Sequence, residues 1–206
     1  MLFICRVFGI MLAIAFFATA SAADTESEIR GCESCHGDGG ASVHAPIPVI
    51  GGMSAFYLEE QMLAYQEGRR PCDEVEYPEG PRKGEAGNMC EEAAGLTPQQ
   101  ITEMADYFSQ KPFVVPEQSH DQALAKKGKK LHEQHCSKCH SEGGGLAFDD
   151  AGILAGQWRG YLLDTLEAFR ADKRWMPEKM ITKIENLSDA DVKALVEFYV
   201  SQEPLE

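Results

Sequence analysis

Two five-residue segments carry the chemistry of this chain: Cys32-Glu33-Ser34-Cys35-His36 and Cys136-Ser137-Lys138-Cys139-His140. Two thiols spaced in this way can each add to one vinyl group of a haem, and the histidine that follows directly points its imidazole at the iron. Each copy therefore reads as a covalent haem c site, with Cys32, Cys35, Cys136 and Cys139 as thioether sulfurs and His36 and His140 as proximal ligands. A zinc site or a redox dithiol also uses Cys-x-x-Cys, but neither needs a histidine immediately after the second cysteine.

The elements that must hold these groups come from a duplication. The motifs lie 104 residues apart, and the same shift places Tyr57 on Tyr161, Leu58 on Leu162, Ala64 on Ala168 and Arg70 on Arg174 without a gap. Residues 54–66 and 158–170 carry apolar side chains at helical spacing: Tyr57, Leu58, Met62 and Tyr65, then Tyr161, Leu162, Leu166 and Phe169. Beyond Arg70 and Arg174 the offset becomes 91, which aligns Met89 with Met180, Leu96 with Leu187 and Tyr107 with Phe198 and leaves a 13-residue insertion in the first copy. Thr97, with Pro98 and Gln100 behind it, and Ser188, with Asp191 behind it, are N-cap candidates for a C-terminal helix in each copy. The expected fold class is all-α: two tandem domains, each about three helices around one haem.

A soft, neutral thioether opposite the histidine favours ferrous iron and raises the potential, as an electron carrier needs. Met89 and Met180 are the paired methionines of the repeat and are the expected axial ligands. Met53, Met62, Met104 and Met176 have no methionine counterpart and read as packing residues. His44, His120, His132 and His135 read as surface or loop side chains. Cys72 and Cys90 bracket the insertion, and in an oxidising compartment they are expected to pair and close an acidic loop of Asp73, Glu74, Glu76 and Glu79. The alternative is Cys90 thiolate as an axial ligand, which lowers the potential.

Residues 1–22 read as a secretory signal, with Arg6, an apolar run from Val7 to Phe17 and the small residues Ala20-Ser21-Ala22. The run is short for a spanning helix, so no permanent membrane anchor is expected, and the address is a Gram-negative periplasm. The rest divides into a first domain over 23–112, a linker over 113–121 and a second domain over 122–206. The formal charge is −14, with −11 over residues 23–112 and −4 over 113–206, which argues against nucleic acid as a partner and suits a first domain that attracts the basic docking face of a partner.

With these motifs in place, the chain resembles the tandem dihaem cytochromes c of the cytochrome c4 family, and more closely the haem subunits of the flavocytochrome c sulfide dehydrogenases. The likeness is densest at Lys130-Leu131-His132, Glu142-Gly143-Gly144, residues 153–158, Met176 to Met180 and the linker around residues 116–125. The resemblance assigns Cys32, Cys35, Cys136 and Cys139 to thioether bonds and His36, Met89, His140 and Met180 to the irons. It also matches Pro46 to a proline whose carbonyl orients the proximal histidine, where the second copy has Asp150.

The resemblance implies an electron-transfer subunit that accepts electrons from a sulfide-oxidising flavoprotein and passes them to a small cytochrome or terminal oxidase, with no catalytic site of its own. No Gly-x-Gly-x-x-Gly follows a strand pattern, so flavin belongs to a separate chain. A free-standing carrier donating to a terminal oxidase is the alternative. A haem enzyme of sulfur oxidation, such as a thiosulfate dehydrogenase or peroxidase, needs an open or unusual ligand position, and Cys90 is its one support.

Overall fold

A computed structural model describes residues 20–45 and 47–205; most of the expected signal segment, and Pro46, lie outside them. Among the described residues the chain is helical apart from one two-residue strand pair, and no helix is long and apolar enough to cross a membrane.

The first half contains α1 (Ala20–His36), α2 (Ala55–Gln66), α3 (Met89–Ala94) and α4 (Pro98–Ser109). The second repeats the order with α5 (Gln122–His135), α6 (Arg159–Arg170), α7 (Glu178–Ile184) and α8 (Asp189–Val200). Both C-terminal helices start at complete capping boxes, Thr97 with Gln100 and Ser188 with Asp191, which satisfy amide donors that a helix start otherwise leaves open. Helix α4 then buries Ile101, Met104, Ala105 and Phe108, one stripe at helical spacing. Asp121 caps α5 through the amides of Ala123 and Leu124. The short α3 and α7 have no counterpart in the three-helix expectation; each begins at the methionine segment, α3 behind the Asn88 cap and α7 behind Pro177.

In the second domain α5 and α8 cross at close range. A Cβ on Gly128 would lie 1.9 Å from the Ala194 carbonyl oxygen, so only glycine lets these backbones meet. One turn on, His132 is 3% exposed, packs 5.0 Å from the Phe198 ring and places Nδ1 3.2 Å from the Tyr199 hydroxyl. The expectation that His132 is a surface or loop residue is thus corrected: Ala125, Gly128 and His132 share the buried face of α5.

The two domains pack into each other. Met53, Leu58, Ala105 and Phe108 of the first domain form one cluster with Ile153 and Ala155 of the second. Gln157, with no exposed surface, accepts from the Val49 amide and donates to the Val49 carbonyl, both at 2.9 Å. The Trp158 indole donates to the Ser42 carbonyl at 3.1 Å. The connecting segment is fixed as well: Gln118 donates to the Gln157 carbonyl at 2.9 Å and accepts from the Arg159 amide at 3.1 Å.

The insertion is a small hairpin in which β1 (Val75–Glu76) pairs antiparallel with β2 (Ala86–Gly87). A disulfide between Cys72 and Cys90, with Cα atoms 5.7 Å apart, closes its base. Tyr77 turns inward from the hairpin, 3% exposed, donates to Glu92 of α3 and is covered by the Arg82 guanidinium 4.0 Å from its ring centre.

Two stability outcomes follow. Gly128→Ala is expected to destabilise the second domain by about 3 kcal/mol, read as a lower denaturant midpoint, because backbone stands where the methyl must go. The double substitution Cys72→Ser with Cys90→Ser releases a loop of sequence separation 18 and is expected to cost about 3 kcal/mol, a loss that a thiol reductant reproduces in the unaltered chain.

Candidate functional site

The first motif occupies the last turn of α1, which sets Cys32 and Cys35 on neighbouring turns and His36 at the helix end. His36 is 8% exposed, and burial lowers its pKa, so the ring is neutral at neutral pH. Its Nδ1 lies 2.9 Å from the Pro48 carbonyl oxygen, which fixes Nδ1 as the protonated nitrogen and leaves Nε2 as a metal donor. The carbonyl that orients this imidazole is therefore that of Pro48, two residues beyond the expected Pro46. Burial, reinforced by Glu92, Glu28 and Glu33, pushes the Cys32 thiol up to about 12, and burial also raises Cys35. Such thiols stay protonated at neutral pH, and an S–H group is what adds across a vinyl double bond. Among the described residues no three His, Cys, Asp or Glu side chains converge as a metal site.

Cys32, Cys35, His36 and Met89 line one largely apolar cavity that opens to solvent. Its walls include Ile50, Leu58, Ile101, Met104 and Phe108. A slot with apolar walls, an imidazole and a thioether has the lining and donor set that a haem would need, with Cys32 and Cys35 as the residues that would attach it and His36 and Met89 as those that would hold its iron. Met89 reaches this wall because Asn88 caps α3 directly before it and the disulfide at Cys90 ties down the residue after it. With its sulfur bonded to Cys72, Cys90 offers no thiolate, and Met89 is the ligand-class sulfur of the α3 segment on the cavity wall.

The second motif is held differently. Helix α5 ends at His135, Cys136 is its C-cap, and residues 137–139 form a turn rather than helix. Burial, then the nearby His132, brings the His140 pKa down to about 4, so this imidazole is also neutral. Its Nδ1 is buried and lacks a hydrogen-bond partner among the described residues. Asp150, which stands at the offset equivalent to Pro46, is exposed in a left-handed turn with φ 52° and does not supply that bond. Met180 and Cys136 both pack against the second domain's core, around Leu162, Leu195 and Tyr199. Of the methionines read as packing residues, Met53, Met104 and Met176 are 3%, 3% and 8% exposed, while Met62 is half-buried, and Met53, Met62 and Met104 line the same cavity as Met89.

A further group gathers where the domains meet, and the sequence reading noted its members only as repeat markers. Arg70 donates to Gln61 Oε1 at 2.8 Å and reaches the Tyr161 hydroxyl at 3.5 Å. Arg174 donates to Thr165 at 3.0 Å and Gln61 at 2.9 Å and reaches the Tyr57 hydroxyl at 3.4 Å. Arg70 lies over the Tyr65 ring and Arg174 over Phe169, at 4.3 and 4.7 Å from the ring centres. Burial raises the Tyr57 phenol; at Tyr161 burial acts in the same sense, but Arg174 and Arg70 outweigh it and the phenol is lowered. The signal for this cluster was the alignment itself, since Tyr57, Gln61, Tyr65 and Arg70 fall on Tyr161, Thr165, Phe169 and Arg174 at one offset.

Comparison with known proteins agrees with this arrangement. The family described as cytochrome c oxidase, cbb3-type, subunit III matches residues 123–198. Cytochrome c-554(548) of Halomonas halodenitrificans is 34% identical over 88 residues, covering 43% of this chain and 93% of that protein. The crystal structure of reduced cytochrome c4 from Pseudomonas stutzeri is 27% identical and superposes with a TM-score of 0.70, covering 88% of this chain and 98% of its own. The thiosulfate dehydrogenase electron acceptor of Thiomonas intermedia is 40% identical over 50 residues, which are 24% of this chain and 23% of that protein. A neutral imidazole and a methionine on one apolar slot, in a chain that matches a known cytochrome c over nearly that protein's whole length, lead to one assignment: the chain belongs to the c-type cytochromes, and its organisation in tandem domains is that of cytochrome c4.

Proposed function

We propose that the chain is a periplasmic electron-transfer protein with two covalent haem c groups, attached at Cys32 and Cys35 and at Cys136 and Cys139, and ligated by His36 with Met89 and His140 with Met180. The observation that carries this reading is one apolar cavity lined by Cys32, Cys35, His36 and Met89 together, with the Cys-x-x-Cys-His pattern of that site repeated at residues 136–140. Bound haem supplies a one-electron couple at each iron. The chain's own residues do the rest. Pro48 orients His36, Ile50, Leu58, Ile101 and Phe108 give the slot apolar walls, and the thioether of Met89 favours the reduced metal.

The donor in this proposal is an enzyme that oxidises a reduced sulfur compound, and the acceptor is a small cytochrome or terminal oxidase. The likeness of residues 130–132, 153–158 and 176–180 to the haem subunits of flavocytochrome c sulfide dehydrogenases supports a sulfide-oxidising flavoprotein as that donor. The 50-residue similarity to an acceptor of thiosulfate dehydrogenase supports the same substrate class. A free-standing carrier is the second reading, favoured by the superposition on cytochrome c4 over most of both chains.

Purification of the native pool followed by anaerobic addition of sulfide or thiosulfate separates these readings. Co-elution of a flavoprotein whose flavin bleaches before the haems reduce supports the subunit. A flavin-free protein that neither compound reduces, but that a terminal oxidase turns over, establishes the free carrier. The ligand assignment has its own outcome: Met89→Ala and Met180→Ala each remove about half of the weak near-infrared sulfur-to-iron band and lower one of the two potentials. An unchanged band in both variants refutes it.

A further inference from the structure

The segment that carries Met89 is fastened at three points, each time to the inserted hairpin. Just before it, β2 pairs with β1, and Tyr77 lies so close to Gly87 that a Cβ there would stand 2.5 Å from the ring. Just after it, Cys90 is bonded to Cys72 at the hairpin base. One turn further along α3, Glu92 accepts from the Tyr77 hydroxyl and pairs with Arg82 at 2.9 Å. At its far end the hairpin lies on the attachment motif, where a Cβ on Gly80 would stand 3.0 Å from that of Ser34, the residue before Cys35. The hairpin thus spans the slot from its methionine side to its cysteine side. Tyr77, 3% exposed, lines that slot together with Cys35, His36 and Met89.

Helix α3 has six residues, too few to be stable by itself, so what holds Met89 in place is the hairpin. The second copy holds its methionine with less. Met180 stands in α7, which begins at Pro177 without a side-chain cap, and it packs against the second domain's core. At the offset of 91 Cys90 falls on Ile181, and among its described residues the second copy has no hairpin. A ligand leaves its metal when its segment opens locally, and opening is easiest where the fewest contacts resist it.

Resting on the haem assignment above, we propose that the hairpin is a clamp on Met89, with Tyr77 as its positioning residue, so that the first iron gives up its methionine to an added ligand more slowly than the second does. Tyr77 acts through Gly87 and Glu92. The exchange is a substitution: the iron–sulfur bond breaks, a bond to the incoming nitrogen forms, and no electron is transferred. The two ends of the molecule then differ in reactivity, the first closed to small ligands and the second open to them.

The test uses the full-length ferric holoprotein, with imidazole in large excess as the added ligand and the near-infrared sulfur-to-iron band as the readout. Two covalent haems by mass, and the band itself, are established first in the unaltered chain. The band is expected to fade in two phases of similar size, about tenfold or more apart in rate, and Met180→Ala is expected to remove the faster one. Tyr77→Phe keeps the ring and removes the hydroxyl; it is expected to speed the slower phase about tenfold and to leave the faster one unchanged, whereas a general loosening of the fold speeds both. Should Tyr77→Phe fail to fold, Cys72→Ser with Cys90→Ser frees the base of the hairpin and carries the same expectation. One rate for the whole band, loss of the slower phase in Met180→Ala, a slower phase unmoved by the hairpin variants, or both phases sped alike overturns the clamp. Absence of covalent haem or of the band from the unaltered chain overturns the haem and ligand assignment instead.

Discussion

The carboxamide of Gln157 is the contact on which the rest hangs. It stands in the second domain, has no exposed surface, and closes two 2.9 Å hydrogen bonds on the backbone of Val49 in the first. The preceding carbonyl, that of Pro48, is the one that holds the His36 ring. An exposed loop crossing the mouth of a cavity is ordinarily free to shift; here both polar groups of Val49 are matched inside a dry interface, where leaving either unmatched is costly. The angle of the imidazole in one domain is thus referenced to a side chain of the other. The Trp158 indole on Ser42 and the Trp175 amide on the Arg69 carbonyl, at 2.8 Å, tie the same two surfaces at other points.

The reach of the sequence followed the range of the physics involved. Caps and amphipathic stripes are local, and Ser54, Thr97 and Ser188 start helices where their side-chain oxygens meet free amides. The apolar spacing over residues 54–66 and 158–170 was likewise plain, and helices α2 and α6 form there. What depends on the path of the chain was not plain. The choice of Pro48 over Pro46 turns on where a loop passes the His36 ring, which composition does not encode. His132 was misplaced because a histidine beside a haem motif looks polar, although Gly128 one turn earlier marks a close helix crossing that buries that face. The arginine and tyrosine cluster comes from residues of both domains and assembles only when the copies dock.

The two attachment motifs show how one pattern is realised in two ways. In the first domain the helix continues through both cysteines to His36, whose Nδ1 is engaged. In the second the helix stops before Cys136, the motif runs on as a turn, and Nδ1 of His140 has no hydrogen-bond partner among the described residues. Hydrogen bonding to the non-ligating nitrogen raises the basicity of the other, so the two imidazoles are unequal donors despite identical spacing in sequence.

The disulfide-closed hairpin occurs in the first copy alone, between residues that the second joins directly. A duplicated carrier without it presents two interchangeable ends, and a partner has no means to choose between them. With Asp73, Glu74, Glu76, Glu79 and Glu85 displayed on an exposed clasp beside only one slot, the ends differ in charge and in outline. The molecule therefore has a polarity: an electron that enters at one end leaves by a surface that looks different to whatever comes to collect it.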